Sequence, residues 1–293
     1  MHGQKGRTIN QSTEYQMITP HRRFGLIGHP IARSLSPGLF WAAYDGKYPY
    51  ELIQGEDFEV SYQRFLEEYD GINVTAPFKE LAYAKADIRS EECRLARAAN
   101  LLVKTSEGVK AYNSDLLGVR LWLQECIDGA DTKKNCNQQM TALIVGPGGA
   151  GRAAAAAAVT LGLKVLLMNR NIERAEKLAG DLMNLGYETE VRALEDFRAC
   201  FREADIIIYN IPTRITELDT LTDSDFATGR PKFTLEANYK DPSFDETFIK
   251  RMTQANPLAR HSGGRTWLLY QALTGYEIFT GERPDLQRMS DVL

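Results

Sequence analysis

The stretch TALIVGPGGAGRA, residues 141–153, reads in three parts. Ala142 to Val145 is a run of apolar residues, suited to a strand buried on both faces. Gly146 to Gly151 (GPGGAG) follows, and an alanine run at 153–158 then fills a helix. Glycines permit a tight turn and close backbone approach, and the helix N-terminus attracts a pyrophosphate. A glycine turn alone is weak evidence, since a structural turn has the same composition. Here KVLLMNR, residues 164–170, supplies the second strand of a βαβ unit. The stretch therefore predicts a Rossmann-like dinucleotide-binding domain, with Gly146, Gly148, Gly149 and Ala150 against the cofactor.

The end of the second strand selects the cofactor. An NAD site places Asp or Glu there, on the ribose hydroxyls. This chain has Asn169 and Arg170, then Arg174. An acid would repel a 2′-phosphate, whereas arginine binds it through charge-assisted hydrogen bonds. Four residues apart, Arg170 and Arg174 can share a helix face. Arg170, at the strand end, makes NADP the expected cofactor; taken alone, Arg174 reads as a solvated surface residue.

Working outward, 293 residues suggest two domains. The chain is 43% apolar and 25% charged, ordinary for a globular protein. A net charge of −4 carries no basic footprint for nucleic acid. Met1 to Arg23 is a polar lead-in without an apolar signal-peptide core. The most apolar stretch, Ala153 to Met168, is broken by Gly162 and Lys164, so it reads as helix, turn and strand rather than a membrane span. Cys93, Cys126, Cys136 and Cys200 form no CxxC pair, consistent with reduced thiols in the cytoplasm. His2, His21, His29 and His261 are scattered, so no metal site is expected, and His29 reads as structural. The chain reads as a monomer or homodimer acting on a small molecule, with no nucleic-acid or membrane partner.

Before the glycine turn, strands and helices alternate. RFGLIG (23–28) is a strand. SPGLFWAAY (36–44) opens a helix, with Ser36 as N-cap and Pro37 first in the helix. A strand at 50–53, a helix at 58–69, a strand at 71–75 and a strand pair, AANLLV with GVKAYN, complete the region. DGADTKKNCNQQ (128–139) reads as a connection. Later strands are ADIIIYNIP (204–212) and KFTLEANY (232–239), and TWLLYQALTGYEIF (266–279) is a closing helix. The fold class is α/β.

GINVTAPFKE (71–80) packs an Asn, a Thr, a Pro and a Lys into one strand-to-helix corner. Ile72 and Val74 alternate with Asn73 and Thr75, so the polar pair shares one face of a strand. Pro77 suits the first helical position and Lys79 the first turn, where the helix dipole opposes a cation. Without further context Lys79 reads as a solvated lysine, and Asp115 as a residue that stabilises a helix start.

Seven blocks in order, from about Phe24 to Gly281, resemble the shikimate dehydrogenase family. GLIGHPIARSLSP is similar to G-x-I-G-x-P-x-x-H-S-x-S-P, with Arg33 for His, and GINVTAPFKE to N-V-T-x-P-x-K. AANLLV resembles G-A-x-N-T-L, AYNSDLLG resembles G-x-N-T-D-x-x-G, and GPGGAGRA resembles G-x-G-G-A-x-R. NRNIERAEKLA and GGRTWLLYQA are similar to the family's remaining two blocks.

The resemblance implies reversible reduction of 3-dehydroshikimate by NADPH, within aromatic amino-acid biosynthesis. It implies an active site in the cleft between a substrate domain (1–121, with 262–293 packing back on it) and a Rossmann-like NADP domain (122–261). Lys79 and Asp115 would be the catalytic pair. Ser34, Ser36, Asn73, Thr75, Asn100, Gln271 and Tyr239 would bind substrate, and Gly264 would join the cofactor residues. Trp267 stands where the family usually has Met. EANYKDP has Glu for the usual Asp and one extra residue before Pro242, and YNIPT (209–213) also departs from the pattern. Quinate, or both acids, is the nearest rival substrate; a non-catalytic metabolite sensor is a rival of another class.

Overall fold

A computed structural model of the chain describes residues 22–130 and 139–293. Most of the 1–23 lead-in, Cys136 and the heart of the 128–139 connection lie outside the described residues. Two six-stranded sheets carry the fold. The first contains β1 (Phe24–Gly28), β2 (Tyr50–Gln54), β3 (Gly71–Val74), β4 (Ile88–Arg89), β5 (Leu101–Thr105) and β6 (Gly108–Tyr112), in the order β2-β1-β3-β5-β6-β4. β1 pairs in parallel with β2 and β3, while β5 runs antiparallel to both β3 and β6. The strand pair expected from AANLLV and GVKAYN is β5–β6.

The second sheet contains β7 (Thr141–Val145), β8 (Lys164–Met168), β9 (Glu190–Arg192), β10 (Ile206–Tyr209), β11 (Lys232–Glu236) and β12 (Ala259–Ser262). All its pairings are parallel, in the order β12-β11-β10-β7-β8-β9. That is the doubly wound order, which reverses direction between β7 and β10. Loops leaving those two strands diverge to opposite faces and leave a crevice at their carboxyl ends. Helices cover both faces of each sheet, as parallel strands require, since apolar residues such as Leu143, Ile144, Ile207 and Ile208 point to both sides and are fully buried.

The helix Ser114–Gly129 carries the chain from the first sheet to the second. Its apolar side, Leu116, Val119, Trp122 and Leu123, packs in one cluster with β7, β8 and the alanine helix Gly149–Thr160. The long helix Gly264–Thr280 returns to the first sheet, where Tyr276 and Phe279 join Phe24 and Phe40 in a buried aromatic cluster. The two long helices approach closely at Gly118, where a Cβ would lie 2.5 Å from the Gln271 nitrogen and 2.8 Å from its Cα. Both partners are backbone, so an added methyl must push one helix away. Gly118→Ala is expected to cost about 1–3 kcal/mol in urea unfolding, as overpacked contacts do. It should also raise the KM for substrate, because Gln271 moves with its helix.

Three local expectations need correction. Ser36 is the first residue of its helix, not the cap; Leu35 holds the cap position and no side chain caps that end. Pro77 precedes its helix after a cis Ala76–Pro77 bond, Phe78 is the cap residue, and Lys79 itself opens the helix Lys79–Lys85. Arg170 sits ahead of the helix Ile172–Met183, whose N-cap is Asn171, so Arg170 and Arg174 do not share a helix face. The first helix begins one residue earlier than expected, whereas at Pro77 and Arg170 a loop occupies positions that propensity assigns to the helix.

No helix among the described residues is long and apolar enough to cross a membrane.

Candidate active site

Lys79 opens the helix Lys79–Lys85, a few residues past the carboxyl end of β3, which pairs in parallel with β1. Asp115 is the second residue of Ser114–Gly129, directly after β6. The Asn113 side chain fixes that helix start, accepting from the Leu116 N–H at 2.9 Å and donating to the Ala98 carbonyl at 2.8 Å. The two functional groups meet: Lys79 Nζ donates to Asp115 Oδ2 at 2.6 Å. The Asp115 side chain is only 8% exposed, and that of Lys79 21%, so the pair faces an enclosed space and keeps access to it. The other carboxylate oxygen, Oδ1, accepts from the indole N–H of Trp267 at 3.2 Å.

These groups line a cleft of about 270 Å³. Ser34, Ser36, Asn73, Thr75, Asn100, Tyr239 and Gln271 line it too, so all seven expected substrate residues share one space with Lys79 and Asp115. Their hydrogen bonds show how each is held. Asn100 accepts from the Ser114 N–H at 2.7 Å and donates to Gln271 Oε1 at 3.2 Å, tying β5 to the closing helix. Asn73 accepts from the Tyr50 hydroxyl at 2.8 Å and donates to the Asn100 carbonyl. Ser34 Oγ donates to Ser36 Oγ at 3.1 Å, so the two hydroxyls form one small polar patch. Tyr239 lies on the loop after β11, and burial pushes its phenol up from the ordinary range. Glu236 anchors that loop by accepting from the N–H groups of Ser243 and Phe244, which accounts for the carboxylate in EANYKDP.

Beside this cleft, at the carboxyl ends of β7, β8 and β10, runs a second groove of about 430 Å³. It is lined by Gly146, Gly148, Asn169, Arg170, Arg174, Asn210 and Thr213, among others. Gly146 has φ +87° and packs against Ile211, so the turn excludes a side chain there. Gly148 caps the helix that Gly149 and Ala150 open, so its positive end lies where groove and cleft meet, with Gly148 lining the groove and Ala150 the cleft. Among the described residues neither Arg170 nor Arg174 pairs with a carboxylate, and the buried Asn210 Oδ1 has no hydrogen-bond partner. A glycine cradle, two available guanidinium groups and a waiting acceptor fit a phosphorylated dinucleotide. Cleft and groove adjoin, since a Cβ built on Gly149 would lie 3.9 Å from Lys79 Cδ.

Two expected cofactor residues, Ala150 and Gly264, line the cleft shared with the substrate residues rather than the groove. Sequence reasoning missed Asn210 and the Trp267–Asp115 bond, along with Lys240, which lines the cleft as the extra residue of EANYKDP. Perturbed groups elsewhere are structural. Lys232 is fully buried, with its pKa lowered to about 8 by desolvation, and it donates to the Phe201 and Ala204 carbonyls at a helix end. His261 is pushed down to about 4 by burial against Phe244 and Thr234. No group of His, Cys, Asp or Glu among the described residues could hold a metal ion.

Comparison with known proteins points one way. A model described as the shikimate dehydrogenase substrate binding domain matches residues 26–102, and one described as shikimate / quinate 5-dehydrogenase matches residues 128–226. An NADP(+) shikimate dehydrogenase of Acinetobacter baumannii is 31% identical over 277 residues, covering 91% of this chain and 98% of that protein. The crystal structure of the Mycobacterium tuberculosis shikimate dehydrogenase superposes with a TM-score of 0.74 at 27% identity, over 92% of this chain and 98% of that one. The Thermus thermophilus shikimate 5-dehydrogenase, in complex with NADP(H) and shikimate, gives 0.71 at 26% identity, with the same coverage of 92% and 98%.

Proposed function

The chain belongs to the shikimate dehydrogenase family, NADP-dependent oxidoreductases, and from that premise we propose that its cleft reduces 3-dehydroshikimate reversibly to shikimate with Lys79 and Asp115 as the acid–base pair. The observation that supports the assignment of roles is the 2.6 Å bond between these two side chains inside the cleft, within reach of the glycine loop.

When bound, the nicotinamide supplies or accepts the hydride. The chain's own residues do the rest. As hydride adds to the ketone carbon, negative charge grows on the ketone oxygen. Lys79 Nζ stabilises that charge and gives it a proton. Asp115 holds the ammonium in the direction of the oxygen and keeps a counter-charge beside it. In the reverse direction Lys79 takes the hydroxyl proton as hydride leaves. Ser34 and Ser36 present adjacent hydroxyls to the substrate carboxylate. Asn73, Thr75, Asn100 and Gln271 offer amide and hydroxyl groups to its ring hydroxyls, held rigid by their mutual bonds. Tyr239 closes the cleft from the second sheet. Arg170 and Arg174, with Asn169, receive the 2′-phosphate of NADP. Gly146, Gly148, Gly149 and Ala150 would hold the pyrophosphate at the helix start, and Gly264 would join them in holding the cofactor.

On this reading the substrate domain comprises residues 1–121 with 262–293, and the NADP domain 122–261. The reduced setting of three buried thiols, Cys93, Cys126 and Cys200, favours the cytoplasm. Shikimate is favoured over quinate, which carries one more hydroxyl on the carboxylate-bearing carbon, because the Ser34–Ser36 patch is small and packs beside Tyr276, whose hydroxyl donates to the Ser36 carbonyl. The test is steady-state turnover with each acid and each oxidised cofactor. Shikimate with NADP should give kcat/KM higher by about tenfold or more than quinate or NAD. A quinate preference would reassign the substrate, and ligand binding without any change at the NADPH absorbance band would make the protein a sensor.

A further inference from the structure

Resting on the reading of Lys79 and Asp115 as the proton-handling pair, we propose that Trp267 is a positioning residue for that pair, its indole N–H fixing the orientation of the Asp115 carboxylate.

A buried carboxylate needs a donor at each oxygen. Among the described residues Asp115 receives one at each: the Lys79 ammonium at Oδ2 and the Trp267 indole at Oδ1, 3.2 Å away. An ammonium is mobile and points wherever the carboxylate leads it. With a single donor the carboxylate could turn about its last torsion, which is broad for such groups, and swing the lysine off the substrate oxygen. An indole N–H removes that freedom. It is a donor only, so it neither takes up a proton nor competes with Lys79 in exchanging one.

Trp267 is itself well held. It is 8% exposed and belongs to the same apolar cluster as Val119, Trp122 and Leu235. It lies one turn before Gln271 on the Gly264–Thr280 helix, so the same helix that brings the substrate amide also brings the clamp. Helix packing at Gly118 therefore sets two functional contacts together.

Trp267→Phe keeps an aromatic ring in the cluster and removes the N–H. It is expected to lower kcat about tenfold, in line with a hydrogen bond to a charged group, with substrate KM within about twofold. In an Asp115→Ala background the same change should alter kcat by less than about twofold, because the acceptor it orients is gone. Effects that multiply in the two backgrounds would mark Trp267 as packing alone and overturn the proposal, as would wild-type kcat in Trp267→Phe.

A readout without turnover uses the ¹⁵N-labelled apoprotein, which retains the intact indole should the Phe variant fold poorly. Its three tryptophans differ: Trp41 is 59% exposed, and the Trp122 N–H donates to Ser262 Oγ at 3.0 Å. The Trp267 indole N–H signal should exchange slowly with solvent, then move and exchange faster in Asp115→Ala, while the Trp122 signal stays in place. An unmoved Trp267 signal would refute the bond. Failure here is separable from failure of the pair. An inactive Lys79→Ala beside a fully active Trp267→Phe sinks only the positioning role, whereas an active Lys79→Ala removes the pair itself.

Discussion

Lys79→Ala is expected to lower kcat by roughly 100-fold or more, the usual contribution of a positioned general acid, while substrate KM changes far less. The size of the effect follows from the geometry. Among the described residues Lys79 is the only cation in the cleft held by a carboxylate, and its partner is nearly sealed from water. In so enclosed a setting, charge growing on the substrate oxygen meets little solvent screening, so losing the ammonium removes both the proton and the stabilising charge. The ring hydroxyls and the carboxylate keep their partners at Ser34, Ser36, Asn100 and Gln271, which is why binding should survive. Removing Lys79 also strands Asp115 as an unpaired buried carboxylate, so a second variant, Lys79→Met, with its long apolar stem, helps separate chemistry from local collapse. Near-normal turnover in both variants would exclude Lys79 from the mechanism.

The second large effect is on cofactor choice. Arg170→Ala is expected to raise the KM for NADPH about 10- to 100-fold, the range for losing charge-assisted bonds to a phosphate, and to leave the KM for NADH within about twofold. Arg170 follows β8 at the point where a doubly wound fold places the adenosine ribose, and it has no carboxylate partner among the described residues that would spend its charge elsewhere. Arg174 lines the same groove and is expected to show the same selectivity more weakly, since it lies within the helix rather than on the loop. Equal losses for both cofactors would show that Arg170 supports the loop instead of reading the 2′-phosphate.

How much of this was legible in the chain can be judged residue by residue. β7, β8, β10 and β11 were readable because buried parallel strands are short apolar runs with little ambiguity. The glycine turn was readable because its chemistry needs residues without Cβ atoms at fixed offsets. The catalytic pair was legible only through resemblance. Nothing in GINVTAPFKE distinguishes a proton donor from a solvated lysine, and Asp115 alone resembles any acid in a helix first turn. Helix starts were the weak point: Ser36, Pro77 and Arg170 all have the composition of helix ends, yet the helix at Ser36 begins one residue early and the loops around Pro77 and Arg170 carry the chain past the expected boundary. Asn210 was hidden for another reason. Its meaning lies in a side-chain oxygen left without a partner, which is a property of surroundings rather than of type.

By itself the sequence determined the periodicities: two sets of strands and helices, a glycine cradle for a pyrophosphate, and an arginine where an NAD enzyme keeps an acid. These are local, set by side-chain shape and spacing within a dozen residues. Only the tertiary structure decided that Lys79 meets Asp115 across 36 positions and that Trp267 reaches the same carboxylate from 152 positions away. Those contacts depend on where two sheets and two long helices come to rest. That is fixed by burying the aromatic and aliphatic clusters and by close approach at Gly118, and no short stretch of sequence encodes it.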